Sequence, residues 1–411
     1  MFERIPAEKQ KYGNGESLLI CGNVMNVPQE IKALYGTVQC VYVDPPFRTG
    51  EKFKRKRPYG TKGWKTGTPA PSYDAYNDRY TDEKAYLRLL RKLIHVSREL
   101  LKNDGIFYLH LDWRMSAQAR QLCDREFGKT RFLNEIIWSY ESGGRTKKYF
   151  SRKHDVILMY ACSANYKFDI TKVPLDRTEV RRNHMGRGMD EDGRMYGYIR
   201  SGGKEYRYYD DEPVYPGDVW SDIGFLQQRD PERTGYATQK PLKLLERLLK
   251  PVTEPGDLVA DLCCGSGTTA AAAQALGCRF AAMDLSPEAI AVTKARLKPD
   301  NMTVICPETK DRAELLCGYD NDSGRLRVYG ITAENKAFPA KHTPEDSLES
   351  WEMGHMEEGV FTAEQTFRRS HRYPELTLDV KIAEKDIDTV LTTDAAGAVR
   401  TFRYVPESKE I

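Results

Sequence analysis

The sequence lacks the features that mark secreted, metal-binding and membrane proteins. Its nine cysteines are odd in number and show no C-x-x-C spacing, which argues against a disulfide framework and a zinc site. No run of about 18 apolar residues occurs, and the amino terminus has no apolar signal core. The net charge of +3 is too small to indicate nucleic-acid binding by itself. We therefore expect a cytoplasmic protein without a metal or a membrane association. Its 411 residues are enough for one large domain with appendages, or for two to three domains.

One short stretch stands out near the amino terminus. The apolar run Val38–Val43 predicts a strand, and Asp44, Pro45, Pro46 and Phe47 follow it directly. Prolines cannot continue a β-ladder, so the strand should end there in a stiff turn. This turn, residues 44–47, is called the acceptor turn below. In an open α/β sheet, ligands bind beyond the carboxyl ends of the strands, where the carboxylate and the ring would project.

The residue types in the acceptor turn suit a particular chemistry. A planar exocyclic amine is a poor nucleophile, because its lone pair is delocalised into the ring. A carboxylate and a proline carbonyl can bind the two amino hydrogens and draw that lone pair out of conjugation, while an aromatic face stacks on the ring. The turn therefore indicates methyl transfer to an amino nitrogen of a nucleobase. The alternative is a strand-ending turn in which Asp44 only caps a loop.

A second stretch, residues 257–269, predicts a strand, a glycine turn and a helix. Gly265 and Gly267 let the backbone turn tightly and approach a ligand, with the helix amino end facing it. Asp284 ends the next predicted strand, where a carboxylate can bind both ribose hydroxyls. The same spacing also fits the dinucleotide fingerprint of a nicotinamide dehydrogenase. Against that alternative, no His and Arg set for hydride transfer stands out, and the acceptor turn has no task in that chemistry.

The remaining pattern predicts a mostly parallel α/β sheet. Apolar periodicity indicates helices at 80–101, 115–127 and 287–297, with another from Leu242, and strands at 106–111, 134–138, 155–160, 280–283 and 302–306. The 103–105 stretch should separate the first helix from the strand after it. His110 and Asp112 are expected to form a structural pair. If the strands that end at Asp44 and Asp261 are neighbours, both turns share one crevice.

Cationic residues cluster at two places beside these elements. The segment after Phe47 has no periodicity and is expected to be a mobile loop that closes on a phosphate backbone, with Lys52, Lys54, Arg55, Lys56 and Arg57. The segment 142–153 combines cations with planar rings and supplies four more candidates, Arg145, Lys147, Lys148 and Arg152. A solvated basic loop and an irregular surface insertion are the alternatives. Trp138 or Tyr140 is a candidate for the base site or, equally, a core aromatic.

Three motifs in a fixed order carry a resemblance to a known family. Asp44-Pro-Pro-Phe47, a variable basic segment, Thr238-Gln-Lys-Pro241 and Asp261-x-x-x-Gly-Ser-Gly-Thr-Thr269 resemble the β-class amino DNA methyltransferases of bacteria and phages, over roughly residues 15–306. The resemblance implies a Rossmann-like, S-adenosyl-L-methionine-dependent methyltransferase fold. Its sheet would be seven-stranded, mostly parallel and circularly permuted in order. The resemblance also implies base flipping and no metal.

The same resemblance implies roles for individual residues. Asp44 and the Pro45 carbonyl would bind the target amino group within the Asp-Pro-Pro motif, which includes Pro46, and Phe47 would stack on the base. The cofactor would be held by Thr238, Gln239 and Lys240 beside its methionine part, by Asp261, Cys263, Gly265, Ser266, Gly267 and Thr268 in the cofactor loop, and by Asp284 at the ribose. Two departures are Phe47, where Tyr is common, and Cys263-Cys264, where Pro or Phe types are usual.

We therefore expect a site-specific DNA methyltransferase that acts on the N6 amino group of adenine, because an Asp at the first motif position resembles the adenine enzymes. Cytosine-N4 methylation, RNA methylation and an inactive DNA-binding relative are the alternatives. The expected domains are a catalytic half (1–140), a target recognition region (141–233) with a returning core strand near 155–160, a cofactor-binding half (234–306) and a small β-rich C-terminal appendage (307–411). DNA is the expected partner; a homodimer and a separate restriction endonuclease are left open.

Overall fold

The computed structural model of the chain describes residues 2–5, 7, 9–58, 69–80, 82–141, 146–175, 185–227, 230–236, 238–297, 301–306, 314–320, 325–332, 348–369, 375–381, 389–394 and 399–404. Within these residues the α-helices are α1 Gln29–Lys32, α2 Glu83–Leu100, α3 Ser116–Glu126, α4 Leu242–Leu249, α5 Thr268–Ala275 and α6 Pro287–Leu297. Short 3-10 helices lie at Val24–Asn26, Lys129–Arg131 and Ile170–Lys172. Among the helices described, none has the length and apolar character needed to cross a membrane.

The strands fall into an amino-terminal and a carboxyl-terminal series. The first series is β1 Phe2–Ile5, β2 Lys9–Tyr12, β3 Ser17–Cys21, β4 Val38–Val43, β5 Lys52–Pro58, β6 Pro69–Asn77, β7 Leu101–Leu111, β8 Phe132–Ser139, β9 His154–Ala161, β10 Gly186–Met189, β11 Met195–Ser201, β12 Lys204–Tyr209 and β13 Val219–Trp220. The second series is β14 Leu258–Asp261, β15 Arg279–Asp284, β16 Met302–Ile305, β17 Leu315–Asp320, β18 Arg325–Ile331, β19 Leu348–Glu357, β20 Val360–Arg368, β21 Asp379–Lys381, β22 Thr389–Asp394 and β23 Val399–Tyr404.

The centre of the main sheet is parallel, as predicted. Its strands run in the order β16-β3-β15-β14-β4-β7, and each of these neighbours is paired in parallel. β9 then pairs antiparallel with both β7 and β8. All six residues of β4 are buried, because α2 covers one face of the sheet and α4 and α5 cover the other. A strand that is buried on both faces has a continuous apolar sequence, which is why β4 could be predicted from the sequence.

Helix α2 follows the predicted periodicity closely. The Asp82 side chain accepts a hydrogen bond from the backbone N–H of Ala85 at 2.7 Å and caps its first turn. The predicted break at 103–105 is wrong, since β7 begins at Leu101 directly after the helix. Gly105 lies inside this strand, where a Cβ would stand 3.1 Å from the carbonyl oxygen of Gln39 on β4. That glycine therefore serves close strand packing rather than a turn.

The sheet extends beyond the seven strands that were expected. Fifteen of the described strands form one sheet, because β2 pairs with β16 on one side and with β20 on the other. β1 pairs with β23 at the far edge, so residues assigned by sequence to the catalytic half lie among the C-terminal strands. Buried side chains reinforce this junction: Lys294 on α6 lies 2.9 Å from Glu352, whose carboxylate also accepts from the Tyr12 hydroxyl at 2.5 Å. Local sequence could not reveal pairings between residues more than 300 positions apart.

The mobile loop predicted after the acceptor turn is instead, in part, a two-stranded ribbon. β5 pairs antiparallel with β6, and residues 59–68 between them lie outside the described part. Asp78, fully buried, anchors the ribbon base by accepting from the backbone N–H groups of Arg48 at 2.8 Å and Thr49 at 2.7 Å. Backbone hydrogen bonds hold such a ribbon without any apolar alternation, so the sequence carried no periodic signal for it.

Candidate active site

Three acidic residues end three neighbouring parallel strands. Asp284 ends β15 and Asp261 ends β14, while Asp44 directly follows β4; Asp261 lies in register with Tyr42 of β4 and with Ala282 of β15. Neighbouring strands are about 4.8 Å apart. One cavity of about 470 Å³ opens at this edge and is lined, among the residues predicted for the two sites, by Asp44, Pro45, Pro46, Phe47, Thr238, Gln239, Lys240, Asp261, Cys263, Gly265, Ser266, Thr268 and Asp284.

The glycine turn, residues 263–267, is shaped by hydrogen bonds to its backbone. Asp284 accepts from the N–H of Gly265 at 2.9 Å and from that of Ser286 at 2.9 Å. Burial raises the pKa of the Asp284 carboxyl, against the hydrogen bonds from these backbone groups. Gly267 has φ of +75°, and a Cβ there would lie 2.6 Å from the Thr293 side chain of α6. Gly267 is absent from the cavity lining but gives the turn its shape, and sequence alone did not identify Thr293 as the reason.

Asp261 supports the same turn from below. Its carboxylate accepts from the Cys263 N–H at 2.9 Å and from the Thr269 hydroxyl at 2.5 Å. Burial raises the pKa of the Asp261 carboxyl from its ordinary value of 3.8 to about 7, although these two hydrogen bonds act in the opposite direction. The negative charges of Asp44 and Asp284 add to the rise. The protonation state of Asp261 therefore changes near neutral pH.

This shift predicts a pH-dependent stability that depends on Asp261. Because the pKa in the folded protein lies above the ordinary value, the folded state binds more protons than the unfolded chain between about pH 4 and pH 7. The contribution of this carboxyl to stability therefore falls as the pH rises through that range. For Asp261→Asn, we expect the Tm difference, variant minus wild type, to increase from pH 4 to pH 7 and then to level off. Thermal unfolding of both proteins at several pH values measures this.

Asp169→Asn provides the control, because hydrogen bonds from Thr171 lower the pKa of Asp169. Its Tm difference, variant minus wild type, should not increase from pH 4 to pH 7. A Tm difference for Asp261→Asn that also fails to increase over this interval would contradict the prediction.

Lys240 lies inside the acceptor side of the cavity. Its ammonium nitrogen lies 2.6 Å from Oδ2 of Asp44 and 4.9 Å from the centre of the Phe47 ring. The Asp44 side chain is 19% exposed and that of Lys240 is 9% exposed, so this ion pair is largely shielded from water. Tyr86 on α2 donates its hydroxyl to the Pro46 carbonyl at 2.7 Å and holds the turn in place. Neither contact could be read from the sequence, because the partners lie far apart in it.

Gln239 contributes to the cavity wall through its position. Its amide oxygen accepts from the Thr234 N–H at 2.8 Å and hydroxyl at 2.9 Å, and its amide nitrogen donates to the Glu232 carbonyl at 2.9 Å. Glu232 in turn pairs with Arg296 of α6 at 2.9 Å. Arg296 donates to the Thr268 hydroxyl at 2.8 Å, and this hydroxyl donates to the Lys240 carbonyl at 3.1 Å. Glu232 and Arg296 thus join the Thr238–Lys240 segment to Thr268, which follows the glycine turn. No sequence motif had indicated a role for Glu232 or Arg296.

A buried polar chain lies beneath the acceptor turn. The His110 ring is fully buried and contacts the Tyr42 hydroxyl at 2.7 Å through Nδ1 and the Asp155 carboxylate at 3.1 Å through Nε2. Tyr140 donates to the other oxygen of Asp155 at 2.9 Å. Burial alone would raise the pKa of Asp155, but its hydrogen bonds and the charges of His110 and Lys240 lower it overall. The Phe47 ring centre lies 6.1 Å from that of His110, so this chain supports the floor under Phe47.

One expectation near this chain is wrong, and the structure decides between the two alternatives for Trp138. His110 does not pair with Asp112, whose carboxylate accepts from the N–H and guanidinium of Arg114. Trp138, a candidate for the base site, is 2% exposed, donates to the Ile223 carbonyl at 2.8 Å and is absent from the cavity lining. Its ring instead packs edge-on against His110 at 5.8 Å. The alternation of side chains along β8 directs the Trp138 ring into the core. The sequence alone had left the base site and the core open as alternatives for this ring.

The predicted DNA-contacting cations come from two segments of the chain. Five of them belong to β5, whose backbone is described but whose cationic side chains are outside the described part: Lys52, Lys54, Arg55, Lys56 and Arg57. Arg145 is likewise outside it. Lys147, Lys148 and Arg152 are exposed on the connection between β8 and β9. The Arg152 guanidinium lies 3.6 Å from the centre of the Trp113 ring, a contact that the sequence did not predict.

Fold and site together define a Rossmann-like domain of the methyltransferase type, with an acceptor turn and a glycine turn on adjacent strands. The chain belongs to the N6_N4_Mtase family of DNA methylases, whose model matches residues 38–295. This match excludes the dehydrogenase reading of the glycine spacing.

Known relatives are bacterial and phage proteins. The chain is 27% identical to the Type II methyltransferase M.EcaI of Enterobacter cloacae, over 60% of this chain and 61% of that protein. It is 26% identical to the DNA adenine methyltransferase YhdJ of Escherichia coli K12, over 72% and 87% of the two chains. It is also 26% identical to the EcoPI Mod subunit of a Type III restriction-modification enzyme from Escherichia phage P1, over 43% and 29%. The match thus spans about three fifths of M.EcaI. Among solved structures, the cytosine-N4-specific PvuII DNA methyltransferase aligns with a TM-score of 0.43 and 15% identity, over 70% and 89% of the chains.

Proposed function

We propose that this protein is a site-specific DNA methyltransferase that transfers a methyl group from S-adenosyl-L-methionine to the N6 amino group of adenine. One observation carries the proposal: the acceptor turn and the glycine turn end neighbouring parallel strands and line the same cavity. A one-carbon transfer needs the two reacting groups within van der Waals reach, and adjacent strand ends provide this. The acceptor turn alone, or the glycine turn alone, would support only nucleotide binding.

The chain's own residues fit the cofactor on the glycine-turn side. Gly265, in the left-handed backbone conformation with φ of +50°, places the glycine turn on the cavity wall, and the partly buried Asp284 carboxylate lines the same cavity, where ribose hydroxyls would bind. Leu285 follows it, 68% exposed, and offers an apolar surface to a purine ring. When bound, S-adenosyl-L-methionine supplies an electrophilic methyl group on sulfur. Thr238 and Lys240 border the cavity between the two turns and would lie nearest to the methionine part.

On the acceptor side, the target base must be everted from the duplex to enter the cavity. Asp44 and the Pro45 carbonyl then accept the two amino hydrogens, and Phe47 stacks on the ring. The amino nitrogen would then take the methyl group that the cofactor supplies, and the Asp44 carboxylate would accept the amino proton that is released. Lys240 now contacts Asp44 and lies over Phe47, so its ammonium group has to withdraw when the base enters.

The choice of adenine rests on two supports. Asp at the first position of the acceptor turn resembles the adenine enzymes of the family, and YhdJ, a relative aligned over 87% of its length, is named a DNA adenine methyltransferase. Cytosine-N4 methylation is the second candidate, because the same carboxylate and carbonyl can bind the amino group of cytosine.

Mass spectrometry of digested DNA tests the proposal. DNA from a methylation-deficient host that expresses the protein should contain N6-methyladenine, and the Asp44→Ala variant supplies the matched negative control. N4-methylcytosine without N6-methyladenine would contradict the adenine assignment, and methylated RNA with unmodified DNA would contradict the DNA substrate. Sequencing that reports modified positions would then give the recognition sequence.

We also propose the cytoplasm as the location, while the sequence leaves open a homodimer and, as a partner, a separate restriction endonuclease. The Type II and Type III names of the relatives support the last of these. Light scattering during size-exclusion chromatography tests the dimer. The domain divisions at residues 140, 233 and 306 likewise remain proposals.

A further inference from the structure

The connection between β8 and β9 lies at the same edge of the sheet as the cavity. β8 runs parallel to β7 and β4, since both β8 and β7 pair antiparallel with β9, so β8 ends at the catalytic edge. The Tyr140 N–H donates to the Lys153 carbonyl at 2.9 Å and closes the connection at its base. Tyr140 also bonds to Asp155 of the polar chain under Phe47. The described outer part of this connection, residues 146–153, is called the stacking loop below.

The stacking loop presents large aromatic side chains to solvent beside cationic groups. Phe150 is 98% exposed and Tyr149 is 57% exposed. The Arg152 guanidinium lies between two rings, 4.8 Å from the centre of Tyr149 and 3.6 Å from that of Trp113, which follows β7 and is itself 42% exposed. On the loop, Lys147 and Lys148 are also exposed. One guanidinium group thus contacts two exposed rings at the rim of the catalytic edge, and the exposed Phe150 ring lies on the same loop.

This combination fits nucleic acid better than it fits protein or solvent. Large aromatic rings that cluster in solvent often mark a binding surface, and any nucleobase can stack on such a ring, whatever the nucleotide sequence. Arginine and lysine supply the charge that phosphates require. The antiparallel sheet formed by β10, β11 and β12 also exposes Tyr206 and Tyr208, but its arginines pair with acidic residues: Arg187 with Asp210, Arg194 with Asp211, and Arg200 and Arg207 with Glu205. These ion pairs compete with phosphate binding, so the stacking loop is the stronger candidate.

Eversion of a target base leaves a base-sized gap in the duplex, and closing that gap by stacking reduces the cost of eversion. We infer that Phe150 enters the gap left by the target base, while Arg152, Lys147 and Lys148 hold the flanking phosphates. Trp113 and Tyr149 orient the Arg152 guanidinium between them. This inference rests on the proposed function, since it assigns a positioning residue to base eversion.

Turnover on two substrates tests the role of Phe150. One is a duplex oligonucleotide that carries the modified sequence, and the other is the same duplex with a mismatched base opposite the target adenine. For Phe150→Ala, kcat/KM should fall about tenfold or more on the matched duplex, the size of one lost base–aromatic stack. It should recover largely on the mismatched duplex, because the target base there is already unpaired. Phe150→Trp should retain turnover on both.

The matched control is Phe168→Ala. Phe168 is 43% exposed and follows the other end of β9, at the opposite edge of the sheet, so its loss should leave both substrates unaffected. Since Phe150 is almost fully exposed, its truncation removes little packing and the variant should fold. An equal loss on matched and mismatched duplexes, or no loss on either, would overturn the inference.

A binding measurement separates failure of this inference from failure of the proposed function. Fluorescence anisotropy compares a labelled random-sequence duplex with the same duplex containing an abasic site. The wild-type protein should bind the abasic duplex more tightly by about tenfold, and Phe150→Ala should lose that preference. If the wild-type protein transfers no methyl group but keeps this preference, the proposed function fails and the stacking role stands. If it methylates DNA and Phe150→Ala matches it on every substrate, the stacking role alone fails.

Discussion

Replacement of Asp44 with alanine is expected to abolish methyl transfer while S-adenosyl-L-methionine still binds. In the proposed mechanism the carboxylate acts on the target amino group, whereas the residues proposed to hold the cofactor are those of the glycine turn and Asp284 on the cavity wall. Loss of one preorganised electrostatic group in a shielded site costs roughly a hundredfold to a thousandfold in rate, and the proposed mechanism also assigns Asp44 as the proton acceptor. We expect kcat to fall by at least about a thousandfold. Transfer of a labelled methyl group to DNA measures turnover, and calorimetry measures cofactor affinity.

The ion pair with Lys240 requires a control for this experiment. Removal of Asp44 leaves the ammonium group of Lys240 with little exposure and without its carboxylate partner, which could disturb the site by itself. The double variant Asp44→Ala with Lys240→Met removes both charges. It should remain as inactive as the single variant, and Asp44→Asn, which keeps one acceptor oxygen, should retain slightly more activity. Recovery of turnover in the double variant, or a loss smaller than tenfold in Asp44→Ala, would contradict the role of Asp44.

Substitution of Gly267 by alanine should nearly eliminate cofactor binding. The residue has φ of +75°, a left-handed conformation that costs an L-residue about 1–2 kcal/mol. The new Cβ would also lie 2.6 Å from both Oγ1 and Cγ2 of Thr293, an overlap that costs a further 1–3 kcal/mol or so. Thr293 donates its hydroxyl to the Gly265 carbonyl at 3.2 Å, so any shift to relieve the overlap moves the glycine turn. We expect the dissociation constant for S-adenosyl-L-methionine to rise at least about a hundredfold, measured by calorimetry.

Gly256→Ala provides a matched comparison for that experiment. Gly256 has φ of +87°, but no atom lies within 4 Å of the position of its Cβ, and it does not line the cavity. Its substitution should reduce thermal stability through backbone strain alone and leave cofactor affinity unchanged. Gly267→Ala protein that binds the cofactor as tightly as the wild-type protein would show that the turn tolerates a side chain, contrary to this account.

Much of the cavity could be predicted because its signals are local. An apolar run that stops at Asp-Pro-Pro must end a strand, and two close glycines before a helix must form a tight turn. Prediction from local patterns failed where one pattern is compatible with two structures. The stretch 103–105 predicted a break between helix and strand, but it continues β7, because Gly105 permits close approach to β4. The cationic segment after Phe47 read as a loop, whereas backbone pairing makes part of it a ribbon.

The sequence by itself determined which groups stand at the ends of the strands, since turn chemistry and strand periodicity act over a few residues. Only the tertiary structure decided which of those groups meet. Lys240 reaches Asp44 across 196 positions of sequence, His110 pairs with Asp155 rather than with Asp112, and β1 joins β23 at the far edge of the sheet. Such contacts depend on chain closure and packing between distant elements. No local pattern encodes them, and in this protein they position the side chains on which the proposed reaction depends.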